Sequence, residues 1–190
     1  MSAALKHTMS LPDFLAWEER QEHRWEFDGF APVAMTGGTN EHEGIGTRLR
    51  TLLDVALMGK PCKVRGPTMK IEAAGRIRYP DAFVTCAPIP RGATIAPEPI
   101  VVFEVLSPST SRTDRIAKLG EYFATPSIQR YVILEQDSAA ATVFVRGEHA
   151  WSVQVLTGAD VLTLPEIGVD LPLPGIYAGI ELAPPEMDEA

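Results

Sequence analysis

An α/β (α+β) fold, with a mixed central sheet flanked by helices, is what three features of this 190-residue chain predict. Helix-period segments are interspersed with strand-like runs along the chain. The run Ile100-Val101-Val102-Phe103 is apolar at every position, as expected of a strand covered on both faces. Runs at 62–72 and 79–86 flank a turn at Ala73-Ala74-Gly75, which predicts an antiparallel pair.

The first helix is expected over 11–21, with Ser10 as cap, Pro12 in the first turn and Leu11, Phe14 and Leu15 facing inward. Trp25 to Gly29 and Pro32 to Met35 predict a hairpin turning at Asp28-Gly29. Asn40 is the expected cap of a second helix, with Glu43 completing a capping box. Ile45, Leu49, Leu52, Leu53 and Ala56 recur on one face of it, which should pack on a sheet. A Pro-rich loop, Pro88 to Pro99, leads into the buried strand 100–106. Helix 112–124 follows, capped by Thr110 or Ser111 and stopped by Pro126. Strands are expected at 129–135, 142–146 and 151–156. Prolines recur from residue 165 onward, and that segment is expected to wrap the body of the protein. The length favours one domain, residues 1–180, with an acidic, Pro-containing tail at 181–190.

With 45% apolar and 22% charged residues, the composition is that of an ordinary globular protein. No run approaches the roughly 20 apolar residues of a membrane span. The N-terminus lacks the apolar segment of a signal peptide. Cys62 and Cys86 fit no metal spacing and are expected as reduced, buried thiols, so a cytoplasmic location is expected. The net charge of −8 is uneven: no Lys or Arg follows Arg146, whereas eight acids do. Residues 1–146 therefore balance 17 basic against 17 acidic groups. Within them Lys60, Lys63, Arg65, Lys70, Arg76 and Arg78 surround the single acid Glu72. That cluster is either a solvated strand surface or a ridge that touches phosphates.

The candidate chemistry centres on Asp81 and Glu104. Asp81 opens a strand directly after Pro80, at a sheet edge where a ligand can approach. Glu104 shares a strand face with Ile100, Val102 and Leu106. A carboxylate buried there costs several kcal/mol unless a metal, hydrogen bonds or an opposite charge compensates it. The two acids lie 23 residues apart and converge only if their strands are neighbours. Converged, they could each give an oxygen to one hard divalent cation, the site a phosphodiesterase needs. Asp114, Lys118 and Tyr122 form one helical stripe, and Lys118 could meet negative charge on a phosphate. On a helical wheel Lys118 lies roughly 160° from Ile116, so it reaches the acids only if its own flank faces inward. Glu26 is a third candidate acid. His42, on the apolar side of its helix, is either a core group or part of the cleft. Ser107-Pro108-Ser109-Thr110 lacks the glycine-flanked serine of a nucleophile elbow.

With these residues the chain resembles the Uma-two family of restriction endonuclease-like proteins, of PD-(D/E)XK nuclease fold. The likeness runs over roughly residues 10–180. It comprises Trp25-Glu26-Phe27-Asp28-Gly29, His42, Pro80-Asp81, the run Phe103 to Thr110, and Asp114, Lys118 and Tyr122. The resemblance implies a metal site on Asp81 and Glu104, with Glu26 assisting. Nucleases of this fold place a lysine two residues after the second acid. Here that residue is Leu106, and the lysine relocated to the next helix would be Lys118.

The expected function is hydrolysis of DNA phosphodiesters by an Mg²⁺- or Mn²⁺-dependent endonuclease. In that reading Asp81 and Glu104 hold the metal, Lys118 steadies the phosphate, and Glu26 and His42 line the cleft. Two alternatives use the same residues: a non-catalytic binding or assembly module, and a hydrolase of smaller phosphate esters. DNA is the expected partner, with no membrane contact. A homodimer is expected because such a nuclease must reach two strands.

Overall fold

The computed structural model describes residues 8–35, 37–106 and 112–182, though not the side chains of residues 112–115. Helix α1 (Leu11–Glu18) begins as expected, with Ser10 Oγ accepting the Asp13 amide at 3.3 Å. It ends at Glu18, short of 21, and buries Phe14 against Phe27 with ring centroids 4.9 Å apart. Strands β1 (Trp25–Phe27) and β2 (Pro32–Ala34) form the predicted hairpin. Asp28 shapes its turn by accepting the amides of Phe30 and Ala31, and Gly29 supplies a φ of +94°.

Helix α2 (Asn40–Ala56) is capped by Thr39 and not by Asn40. Thr39 Oγ1 accepts the His42 amide at 3.2 Å and donates to Gln136 Oε1 at 3.0 Å, a second partner that anchors it as the cap. Glu43 closes no capping box, because its carboxylate accepts from Thr47 and Arg50. Ile45, Leu49 and Leu53 are buried as the periodicity requires.

The expected hairpin of 62–72 with 79–86 is divided between two sheets. Strand β3 (Lys63–Arg65) stops at Gly66, whose φ of +117° redirects the chain. Strands β4 (Lys70–Ala73) and β5 (Arg76–Arg78) then pair about Ala74-Gly75, and β6 (Ala82–Thr85) returns to pair with β3. After β7 (Ile95–Ala96) come β8 (Pro99–Val105), helix α3 (Arg112–Ala124), β9 (Arg130–Leu134), β10 (Ala140–Arg146) and β11 (Trp151–Thr157). The expected caps of α3, Thr110 and Ser111, lie outside the described residues. Beyond residue 157 the expected wrapping tail is instead a hairpin, β12 (Val161–Leu164) with β13 (Val169–Pro172), and a short helix α4 (Leu173–Ile176). Of the acidic tail expected at 181–190, residues 183–190 lie outside the described residues.

One sheet has the order β11-β10-β9-β8-β6-β3, parallel only between β8 and β9. It is the predicted mixed sheet. A second sheet, β2-β1-β5-β4-β7, was not anticipated as a separate unit. Val101, Phe103 and Val105 of β8 pack toward α2, β12, β13 and α4, while Val102 packs toward Tyr122 of α3 and Ile71 of β4. Alternation along β8 thus turns Glu104 toward α3. Phe14, Phe27, Ile77 and Tyr79 form a third, smaller core under α1.

The β3–β6 register pairs Lys63 with Thr85, and the next pair outward is Cys62 with Cys86. These two are joined as a disulfide with Cα atoms 3.8 Å apart, which corrects the expectation of reduced thiols. The cysteines therefore no longer argue for a reducing compartment. No described helix is long and apolar enough to cross a membrane.

Candidate active site

Strand register brings the two key acids together. In the antiparallel β6–β8 ladder Ala82 pairs with Phe103, so the next position outward sets Asp81 opposite Glu104. Asp81 lies just before β6, and its Oδ2 accepts the amide of Val105 at 2.7 Å. The same oxygen lies 3.3 Å from Nε2 of His42, held in the first turn of α2 by the Thr39 cap. Gly38 makes room for that imidazole, since a Cβ there would sit 2.7 Å from Nδ1 of His42. Arg50 donates to the Asp81 carbonyl, not to its carboxylate.

Glu104 Oε1 accepts from Tyr122 Oη at 2.8 Å and lies 3.4 Å from Lys118 Nζ. Lys118 also approaches Glu26 Oε1 at 3.6 Å. The Lys118 flank of α3 therefore faces inward, and Ile116, 60% exposed, takes the solvent side. Glu26 lies on β1, where Oε2 accepts from Arg78 Nη1 and Oε1 from the Tyr79 amide, both at 3.1 Å. All five candidates, Glu26, His42, Asp81, Glu104 and Lys118, thus fall in one contiguous cluster. The side chain of Asp114 lies outside the described residues. Leu106 packs partly buried in the α3-side core and brings no charge.

Burial raises the Glu104 carboxyl to about 7. The Asp81 and Glu26 carboxylates push it the same way, against Lys118 and the Tyr122 hydroxyl. His42 is raised above its usual value chiefly by its hydrogen bond to Asp81, against the effect of burial. Among the described residues, neither Asp81 nor Glu104 is tied through its carboxylate to an arginine. Asp81 Oδ1 and Glu104 Oε2 carry no hydrogen bond among the described residues. Both side chains keep about 15% of their surface exposed.

The family model described as "Putative restriction endonuclease", Uma2, matches residues 11–174. The chain belongs to the Uma2 family. A relative within reach is the uncharacterized protein slr1290 of Synechocystis sp., 33% identical over 176 residues that cover 90% of this chain and 93% of that protein. The crystal structure of "a putative nuclease belonging to DUF820" from Anabaena variabilis is similar at a TM-score of 0.75 and 16% identity. That alignment covers 91% of this Uma2 chain and 99% of the other, and it shows that the two share a fold.

Sequence reasoning on this Uma2 chain missed two supports of the cluster. Arg78 gives Nε and Nη2 to Glu121 at 2.6 and 2.7 Å, which ties α3 to β5. Nothing local in the sequence links two residues 43 positions apart. Tyr122 was visible as a member of the Asp114–Lys118–Tyr122 stripe, but its bond to Glu104 was not. The basic ridge also divides. Lys70 is buried on Glu18 and Arg78 on Glu121 and Glu26, so neither can meet a phosphate. Lys63 and Arg65 stay exposed on β3.

Proposed function

We propose that this chain is a divalent-metal-dependent nuclease that hydrolyses DNA phosphodiesters at the Asp81–Glu104 cluster. One observation supports the reading above others: two carboxylates in facing register positions converge beside Lys118, and among the described residues each keeps one oxygen free of hydrogen bonds. Hard oxygen donors of this kind suit Mg²⁺ or Mn²⁺, with waters supplying the remaining positions. Among the described residues no group of three or more His, Cys, Asp or Glu could close around a metal, so the site would be water-rich. Asp81 and Glu104 would hold the ion, which when bound activates water and offsets charge on the phosphate.

The remaining roles belong to the chain's own groups. The Val105 amide and His42 fix the Asp81 carboxylate, both through Oδ2. Lys118 faces the acids and, with a phosphate in place, would offer its ammonium to a nonbridging oxygen. Glu26 and Arg78 hold that lysine and its helix in position. The test is nicking of a supercoiled plasmid with Mg²⁺ or Mn²⁺. Activity should vanish in both Asp81→Ala and Glu104→Ala, and activity that survives in both ends the proposal.

A second reading, a non-catalytic binding module, draws support from Leu106 at the usual lysine position and from the ion pairs Lys118 already makes. Calorimetry separates the two. A nuclease should take up Mn²⁺ in the millimolar range or tighter, and a module that has abandoned the chemistry should not. Nucleotide and simple phosphodiester substrates run beside DNA distinguish the smaller-ester hydrolase.

A further inference from the structure

The two large sheets end on four edge strands, and three are guarded in ways that discourage pairing. Strand β3 has three residues, two of them the exposed cations Lys63 and Arg65. Strand β2 has three and begins at Pro32, and β7 has two. Short length, charge and proline are the usual defences of a sheet edge. Strand β11 has none of them. Its seven residues, Trp151-Ser152-Val153-Gln154-Val155-Leu156-Thr157, include no charge, proline or glycine. They extend roughly 23 Å at the usual rise of a strand. Val153 and Val155 are 60% and 67% exposed on the same face. Among the described residues, the backbone of 151–156 is hydrogen-bonded only to β10, so its outer row of amides and carbonyls is open.

We infer that β11 is a homodimerisation edge, on which a second copy of this chain adds its own β11 antiparallel across a two-fold axis. The sequence of the strand selects this occupant. With the axis through Gln154, Val153 of each copy falls opposite Val155 of the other and Gln154 opposite Gln154. Such β-branched pairs are favourable cross-strand neighbours. An isologous contact requires this self-complementarity. Charge selects it too: each chain carries −8 overall, yet β11 is neutral throughout, so two copies meet there without like charges in register. Pairing would join two six-stranded sheets into one of twelve and remove the unguarded edge. The inference is independent of the nuclease proposal, because it uses no residue of the cluster.

Sedimentation equilibrium of the full chain from low to high micromolar concentration should show the mass double from 20.7 kDa. Val153→Lys with Val155→Lys should return it to the monomer while far-ultraviolet circular dichroism is unchanged. Both native cysteines lie in the disulfide, so Gln154→Cys introduces a lone thiol at the axis. Mild oxidation of that variant should give a covalent dimer on a non-reducing gel, and this readout stands even if the double-lysine variant misfolds. A wild-type monomer at every concentration overturns the inference. So does a dimer that survives the lysines, or one that Gln154→Cys fails to cross-link.

Discussion

Two charged clusters adjoin in this protein and differ in how completely their atoms are used. In the inner one, every carboxylate oxygen has a donor. Glu18 accepts from Lys70 and Tyr79, Glu121 takes two bonds from Arg78, and Glu26 accepts from Arg78 and the Tyr79 amide. In the outer one, Asp81 and Glu104 each satisfy one oxygen and, among the described residues, leave the other without a donor. Both clusters are largely buried, so burial of charge does not by itself distinguish chemistry from architecture. Spare coordinating capacity does, and among the described residues the outer of these two clusters has it.

The comparison breaks first at Arg78. Its guanidinium bridges β5, β1 and α3, and its own pKa is raised, with desolvation outweighed by Glu121 and Glu26. Removing one partner of a buried ion pair strands the others, at a cost of about 3–5 kcal/mol. Arg78→Ala should therefore lower unfolding free energy in urea by that amount, while Glu104→Gln should cost far less at neutral pH. Equal losses would mean that the outer cluster is as architectural as the inner one.

Lys118 lies on the boundary between the clusters, near Glu26 on one side and Glu104 on the other. If it serves the phosphate, Lys118→Met should cut plasmid nicking by about 10²–10³-fold, the scale of a lost preorganised donor. Stability should move little, because both acids keep other partners. A large fall in stability with nicking intact would assign Lys118 to the inner network.

The sequence made some of this arrangement legible. Apolar runs and turn residues located β1, β2, β8, α2 and α3, and the pattern of β8 singled out Glu104 as an acid that needed a reason. What local pattern could not supply was register. Asp81 faces Glu104, and Cys62 faces Cys86, because of which strands pair and in which direction, a property of distant segments. The inward flank of α3 was likewise undecided, since Ile116 and Lys118 lie roughly 160° apart on the helix. The alternation at Val161-Leu162-Thr163-Leu164 was present but hidden among prolines, of which Pro172 takes the last position of the ladder, opposite Val161.

A smaller effect concerns pH and the metal-free chain. Glu104 holds its proton to about pH 7 when folded, whereas an ordinary carboxyl loses it near 4.5. Between those values the folded state binds the extra proton, so this contribution to stability is complete below the lower value and lost as pH rises through the upper. His42 acts in the same direction: its raised pKa adds stability below its ordinary 6.5 that disappears as pH climbs past the folded value. With chelator present, stability should fall between about pH 5 and about pH 8. Glu104→Gln should flatten most of that slope, leaving the part due to His42. If Asp81 and Glu104 bind a divalent ion, adding Mg²⁺ should recover stability most at the alkaline end, because the ion competes with the proton. A slope unchanged by Glu104→Gln would show that the titration belongs elsewhere.

The smallest effect tests how the outer cluster is positioned. His42 reaches Asp81 from the first turn of α2, and Thr39 fixes that turn through the His42 amide while bonding Gln136, two residues beyond β9. Thr39→Ala removes both bonds and should cost about 1 kcal/mol, the usual value of a lost cap. Asn40→Ala should stay within about 0.5 kcal/mol, since its side chain caps nothing. Nicking should fall modestly in Thr39→Ala and not in Asn40→Ala, because only the first loosens the imidazole against Asp81. The reverse order would start the helix one residue later and rotate His42 away from the acid it contacts. In that case the outer cluster would reduce to Asp81, Glu104 and Lys118, held by the sheet and α3 without help from α2.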